Sequence, residues 1–146
     1  MTTSLSMSKM FQVKTLRALT ACTVIDENIP IFLSSIPSTM FEELKTLGSL
    51  HCLRKYEKLM DEKIDRLKVE KQIAIEKSDD CHVYSSILFA VNDYVAGFDA
   101  ENLGDYWEHC ASIIASHLVE LEKERQEIDQ EEAFYLCKLG DAYIGV

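Results

Sequence analysis

Glycine and proline are scarce in this chain, whose 146 residues include five glycines and two prolines. A β-sandwich or a β-barrel needs many tight turns, and tight turns depend on glycine, proline, asparagine and aspartate. Long helices form without such residues. We therefore predict an all-α fold, a small bundle of helices, and the length suits one domain with a single moderate core.

Long apolar runs are also absent from the sequence. The most apolar stretch, from Ile87 to Val95, is interrupted by Asn92 and Asp93, and it falls short of the ~20 apolar residues that cross a bilayer. The N-terminus has no basic start followed by an apolar segment, so we expect neither a secretory signal nor a membrane partner. Five cysteines, an odd number without a CxxC pair, indicate reduced thiols and a cytoplasmic or nuclear protein.

Acidic residues are concentrated in the last part of the chain. Residues 1–90 hold twelve basic and twelve acidic side chains, whereas residues 91–146 hold three basic and thirteen acidic ones. Clustered lysine and arginine bind nucleic-acid phosphates, so we predict no nucleic-acid partner. We interpret the acidic face represented by Glu124, Glu127 and Glu131 as solvated, and the alternative is that it matches a basic protein surface.

Helix breakers and capping residues divide the chain into five predicted helices. Two are short, at about residues 9–24 and 40–47, and three are longer, at 49–77, 81–96 and 105–139. The glycines and the Ser-Asp-Asp segment that separate these ranges are interpreted as helix ends and caps.

A disordered segment is expected at residues 1–8, followed by one helical domain at residues 9–146. Within this domain we predict a helix-turn-helix module, residues 9–48, and a bundle of three longer antiparallel helices, residues 49–146.

Large apolar residues at helical spacing predict the core. On the fourth predicted helix, the residues expected to point inward include Tyr84, Ile87, Val91 and Val95. The full set expected to be mainly buried is Leu16, Leu19, Phe41, Leu44, Leu53, Met60, Ile64, Leu88, Val91, Ile114 and Leu121.

Motifs of catalysis and cofactor binding are missing from the sequence. There is no GxGxxG or GxxxxGK[ST] phosphate-binding loop and no GxSxG nucleophile motif. A di-iron bundle needs two Glu-x-x-His motifs, and the nearest match is a single Asp79-x-x-His82. We therefore predict that the protein is not an enzyme and holds no cofactor.

Cysteine and histidine fall together three times, near the ends of predicted helices. A tetrahedral zinc site across three helices would use such ligands, but neighbouring residues of a helix point ~100° apart, so only one of each pair could bind. Buried free cysteine acting as a small apolar residue is the commoner outcome and the one that we predict. The zinc alternative would draw its ligands from Cys52, Cys81, His82, Cys110 and His117.

The N-terminal third carries a resemblance to a known module. The segment from Thr15 to Val24, followed by Ile36-Pro37 and a helix at 40–47, resembles an elongin A-like BC-box or SOCS-box module over residues 15–55. The resemblance implies docking on elongin C, which recruits a cullin ubiquitin ligase. It places Leu16 in the elongin C pocket, whereas Thr20 stands where the family has its cysteine, and Cys22 follows two residues later.

These observations predict a non-enzymatic protein–protein interaction module, with the resemblance implying a ubiquitin-ligase adaptor. The alternatives are a structural protein that self-associates through its long helices and a small zinc-supported helical module. The residues predicted to bind the partner are Leu16, Leu19, Thr20, Cys22, Ile36, Pro37 and Phe41.

Overall fold

The computed structural model of the protein describes residues 16–29, 36–140 and 143, with side chains from residue 18 onward. Within these ranges the chain forms three helices and no strand: α1 (Leu16–Asp26), α2 (Ser38–Ala90) and α3 (Tyr94–Leu139). The predicted all-α fold is confirmed. The segment 1–8, predicted to be disordered, lies outside the described residues.

The number of helices differs from the prediction. The expected breaks at Gly48, at residues 78–80 and at residues 97–104 all lie inside the 53-residue helix α2 or the 46-residue helix α3. Ser49 illustrates the reason: its hydroxyl donates to the Lys45 carbonyl at 3.1 Å, a bond typical of serine inside a helix rather than at a cap. The five-helix prediction is therefore wrong for the described chain.

The turn between α2 and α3 is a short one at residues 91–93. Asn92 has a φ of 63°, and the amides of Asn92 and Asp93 donate to the carbonyls of Phe89 and Leu88, the two bonds of a Schellman C-cap. The Asp93 carboxylate then accepts a bond from the Ala96 amide at 3.2 Å, which caps the start of α3. Two adjacent polar residues thus end one helix and begin the next.

The chain divides into two compact units: unit 1 comprises Met1–Tyr56 and Ile128–Val146, and unit 2 comprises Glu57–Glu127. In unit 1, α1 and parts of α2 and α3 surround a core in which Leu50 is 1% exposed and Tyr143 is 2% exposed. The Tyr143 hydroxyl donates to the Glu43 carboxylate at 2.7 Å, so the largest buried side chain has a polar partner. The buried cluster of unit 1 consists of Ala18, Ala21, Leu44, Leu47, Leu50, Leu139 and Tyr143.

Unit 2 is a helical hairpin whose contact line we call the seam. Its buried and half-buried residues alternate at spacings of three and four, the heptad pattern of a coiled coil. On α2 the seam residues are Met60, Ile64, Leu67, Lys71, Ala74, Ser78, Cys81, Ser85 and Leu88. On α3 they are Gly97, Ala100, Gly104, Trp107, Ala111, Ile114, Leu118, Leu121 and Arg125.

Small residues let the two helices approach closely near the turn. The hydroxyls of Ser78 and Ser85 donate across the seam to the carbonyls of Gly104 and Gly97, at 3.0 and 2.9 Å. A Cβ added at Gly97 would lie 2.7 Å from the Phe89 ring, and one added at Gly104 would lie 2.8 Å from the His82 ring. These glycines are therefore close-packing positions of the hairpin, and the prediction that Gly97 ends a helix is wrong.

An ion-pair cluster joins the two helices at the other end of the unit 2 seam. Arg125 donates through Nε to Asp61 at 2.8 Å and through Nη2 to Glu57. Both Arg125 and Glu57 are about four-fifths buried, and burial strengthens a charge pair because solvent screens it less. The cluster adds a polar link between α2 and α3 at the end of the seam where Met60 and Ile64 are buried.

The predicted core is only partly correct. Leu44, Met60 and Ile64 are buried, and Leu53, Leu88, Ile114 and Leu121 are half-buried. The side chain of Leu16 lies outside the described part. Against prediction, the exposed residues are Leu19, Phe41, Tyr84, Ile87, Val91 and Val95.

Candidate functional site

Two faces flank the seam of unit 2, and contacts between the helices identify each of them. On one face, Lys68, His82 and Phe89 of α2 are separated by multiples of seven residues and contact Glu122, Asp105 and Phe98 of α3. On the other face, Lys77 of α2 lies over the Trp107 ring of α3 at 4.2 Å. The seven-residue repeat of the helices then assigns the other residues of unit 2 that lie beside the seam to one of these two faces.

The face on the Lys77 side carries large apolar residues that no neighbouring element of unit 2 covers. Each of seven side chains is between 45% and 65% exposed. Four lie on α2 and three on α3, and the rows on both helices follow the heptad spacing of the seam. We call this surface the apolar face: Ile73, Tyr84, Ile87, Val91, Leu103, Tyr106 and Ile113.

Aromatic and sulfur contacts order the middle of the apolar face. The Tyr106 and Trp107 rings meet edge to face with centroids 5.4 Å apart, and Lys77 rests on the Trp107 ring, a cation–π arrangement. A side-chain hydrogen bond and charge repulsion from Cys110 raise the pKa of the Tyr106 phenol above its usual value of 10.0. A tyrosine with its usual pKa is already neutral at physiological pH, so the upward shift leaves the charge of Tyr106 there unchanged.

The opposite face is mixed in character. Near the turn, Phe89 contacts Phe98 at 5.0 Å and Tyr94 at 6.2 Å between ring centroids. Beyond these rings, ion pairs join the helices, as between Lys68 and Glu122 at 3.7 Å. Phe98 and Tyr94 are as exposed as the side chains on the Lys77 side, but the ion pairs beyond them interrupt the apolar surface of this face.

A titratable cluster lies on this opposite face, beside a cavity of about 200 Å³. One nitrogen of His82 and one oxygen each of Asp105 and Glu108 lie within 4.8 Å of one another. His82 Nε2 is 3.6 Å from the Asp105 carboxylate, and both side chains are substantially exposed. The cluster is therefore a surface group, in which the His82 ring packs against Gly104.

The predicted zinc ligands do not form one group in the described chain. His82 belongs to the cluster with Asp105 and Glu108, whereas His117 and Cys52 are exposed elsewhere. Cys81 and Cys110 are half-buried free thiols. The prediction of core cysteines is wrong for Cys52 and for Cys137, which are both exposed.

The residues predicted to bind a partner in the N-terminal third divide between core and surface. Cys22 and Ile36 pack against the core of unit 1. Leu19 is 47% exposed, and Phe41 is more than one-third exposed. The remaining two whose side chains are described, Thr20 and Pro37, are exposed.

A second cavity, of about 240 Å³, lies within unit 1 between α1 and α2. Apolar residues of the core, among them Leu47 and Leu50, line one side of it. The other side carries His51 and Asp26, whose side chains approach to 3.5 Å. Because its lining is mixed and its volume is modest, we interpret this cavity as a packing gap between two helices and not as a binding site.

The acidic residues singled out in the sequence, Glu124, Glu127 and Glu131, are all exposed. Glu131 accepts a hydrogen bond from the Tyr135 hydroxyl one turn later, at 3.2 Å. Their exposure agrees with the solvated interpretation and leaves them accessible to a basic surface as well.

Sequence reasoning missed the apolar face because it assigned three of its side chains, Tyr84, Ile87 and Val91, to the core. The signal that would have found it is the seven-residue recurrence of small and polar residues, such as Ser78 and Ser85, which marks the true seam. Among the helices that the structure describes, none combines the length and apolar character that a membrane span requires. A comparison with protein-family models, curated proteins and solved structures finds no match to this chain.

Proposed function

We propose that this protein is a non-enzymatic binding protein that docks another polypeptide on the apolar face of unit 2. The observation that carries the proposal is the alignment of seven large, half-exposed apolar side chains along one face of the hairpin. Water is a poor solvent for such a surface, and its removal from water favours association.

The size of the apolar face separates it from ordinary surface apolar residues. With roughly half of each side chain in water, the seven side chains together expose on the order of 500 Å² of apolar area. The largest contiguous apolar patch of a soluble monomer is about 300–600 Å² and is often functional, so the apolar face has the size of such a patch. The face is also rich in tyrosine, and Trp107 lies beside it; both residue types are enriched at interface centres.

A binding role also fits the placement of the titratable groups. General acid–base catalysis relies on partly desolvated side chains in a cleft. The cluster of His82, Asp105 and Glu108 instead lies at an exposed surface. His82 and Glu108 line the cavity of about 200 Å³, but this cavity is open to solvent rather than a desolvated cleft.

Site-specific photo-crosslinking tests the proposed docking surface. Tyr84 is replaced by a benzophenone-bearing phenylalanine in the full-length protein, and irradiation in cells that express it is expected to give a discrete protein adduct. The matched control carries the same group in place of Val119, which is 68% exposed but lies off the apolar face. Mass spectrometry of the adduct identifies the bound polypeptide.

Equal crosslinking from the two positions would contradict the proposal, because a docking surface must react more than an equally exposed position elsewhere. Absence of any adduct from Tyr84 would contradict it too. A strong adduct from Tyr84, with little from Val119, is the expected result.

A second candidate function rests on α1, which begins at Leu16 and exposes Leu19 and Thr20 on its outer surface. This exposure suits the elongin C docking that the BC-box resemblance implies. If α1 binds elongin C, co-purified elongin subunits should be lost on Leu16→Ser and kept on Val119→Ser. Clean absence of elongin subunits from the native preparation would remove this candidate.

A further inference from the structure

We infer that the occupant of the apolar face is a second copy of this chain, so that two hairpins of unit 2 form a four-helix bundle. The inference rests on the proposed function, since it takes the apolar face as the docking surface. It goes further by naming the partner and the symmetry. The two copies would present the same face to each other, as in a two-fold homodimer.

The exposed apolar area is close to what a stable dimer needs. A standard interface buries ~800 Å² on each partner, and ~65% of a homodimer interface is apolar. The apolar share is therefore ~500 Å² per copy, which equals the rough area that the seven side chains expose. A second copy would therefore cover most of the exposed apolar area of the face.

The composition of the seam explains why a second layer is required. Near the turn, the large seam residues Leu88 and Trp107 are only half-buried, and the buried seam positions are all small: Ala74, Ser78, Ser85, Gly97, Gly104 and Ala111. Small residues bring two helices together but bury little apolar surface. A stable helical domain packs at least two layers around a core, and here the large side chains needed for that core lie on the outside of unit 2.

The shape of the apolar face suits a partner of the same kind. From Ile73 to Val91 the face extends over roughly 27 Å of helix. Its side chains recur in the three- and four-residue steps of a coiled coil on both α2 and α3. An identical face offers rows of the same length and the same step, so that the side chains of two copies interdigitate.

The charges on the apolar face are few and of both signs. Between the apolar side chains lie Lys77 on α2 and the carboxylates of Asp80 and Asp99. A lysine and two carboxylates on each copy allow opposite charges to meet across a two-fold axis. This balance contrasts with residues 91–146 as a whole, where acidic groups outnumber basic ones by thirteen to three.

Light scattering of the purified full-length protein after size-exclusion chromatography tests the inference. The native chain is expected to have twice its 16.7 kDa mass at micromolar concentration. The double variant Ile87→Asp, Tyr106→Asp should raise the dissociation constant at least 100-fold, because it buries charges without partners. A matched control, Val69→Asp with Val119→Asp, changes two residues of similar exposure off the face and should remain dimeric.

Two measurements keep the result independent of folding defects. Circular dichroism must give the same helix content for the native protein and both double variants. The photoreactive Tyr84 variant, irradiated as purified protein, should give an adduct of twice the chain mass without any charge being introduced.

A native chain that is monomeric up to high micromolar concentration would overturn the inference, as would equal dissociation of the two double variants. If the chain is monomeric and Tyr84 captures a different protein in cells, the second copy is excluded and the proposed function stands. If the chain is monomeric and Tyr84 captures nothing, both are overturned.

Discussion

Replacing Leu50 with alanine is expected to lower the free energy of unfolding by about 3 kcal/mol, as measured by urea denaturation followed by circular dichroism. Leu50 is 1% exposed and belongs to the core cluster of unit 1. Its truncation removes buried methyl groups and leaves a cavity. The helices that surround the site are held by other contacts, so they can close that cavity only in part.

The control for this prediction is Phe134→Ala, which removes a larger side chain that is 63% exposed. Because Phe134 is mostly in water in the folded protein, its loss should change the free energy of unfolding by less than about 1 kcal/mol. If Phe134→Ala were as damaging as Leu50→Ala, the assignment of the unit 1 core would be wrong.

Replacing Gly97 with valine should also destabilise the protein, by about 2–3 kcal/mol. A Cβ at position 97 would lie 2.7 Å from Phe89 Cε1 and 2.8 Å from Cδ1, and valine adds two further methyl groups. The ring must move or the helices must separate. Separation would lengthen the hydrogen bond from the Ser85 hydroxyl to the Gly97 carbonyl, which is 2.9 Å in the native protein.

Two variants distinguish this clash from a general effect of replacing glycine in a helix. Gly48→Ala is expected to be neutral or stabilising by up to about 1 kcal/mol, because alanine favours the helix and its Cβ would meet only Ile25 at 3.8 Å. The double variant Gly97→Val, Phe89→Ala should recover stability relative to the sum of the two single changes. Additive losses would mean that Phe89 is not the obstacle.

The helical class followed from the sequence, and the reason is the shortage of turn-forming residues. The end of α2 was also visible in principle, since Asn92 and Asp93 interrupt the apolar run. Asparagine tolerates the left-handed conformation found at Asn92, and aspartate caps the next helix. Glycine commonly ends helices, so the helix was predicted to end at about residue 96, just before Gly97. The structure ends α2 at Ala90, and Gly97 lies inside α3.

The sequence did not reveal the proposed docking surface, because the largest apolar side chains were assumed to be buried. Pattern reasoning takes the largest apolar residues as the inward ones, which placed Tyr84, Ile87 and Val91 in the core. In unit 2 the buried positions near the turn are serine, glycine and alanine, whose hydropathy is close to neutral. The seven-residue spacing of Ser78 and Ser85 is visible in the sequence, but the close approach of the helices that explains this spacing is known only from distances such as that between Ser78 and Gly104.

The cross-seam bonds of unit 2 also imply an order in which the hairpin assembles. The bond from Ser85 to Gly97 spans 12 residues, that from Ser78 to Gly104 spans 26, and that from Arg125 to Asp61 spans 64. Each doubling of a closed loop costs about 0.6 kcal/mol more chain entropy, so contacts next to the turn at residues 91–93 form at the least cost. Closure then proceeds away from the turn, one bond shortening the effective loop for the next. We therefore expect the Arg125 ion-pair cluster, whose bond to Asp61 spans the most residues of the three, to close last in unit 2.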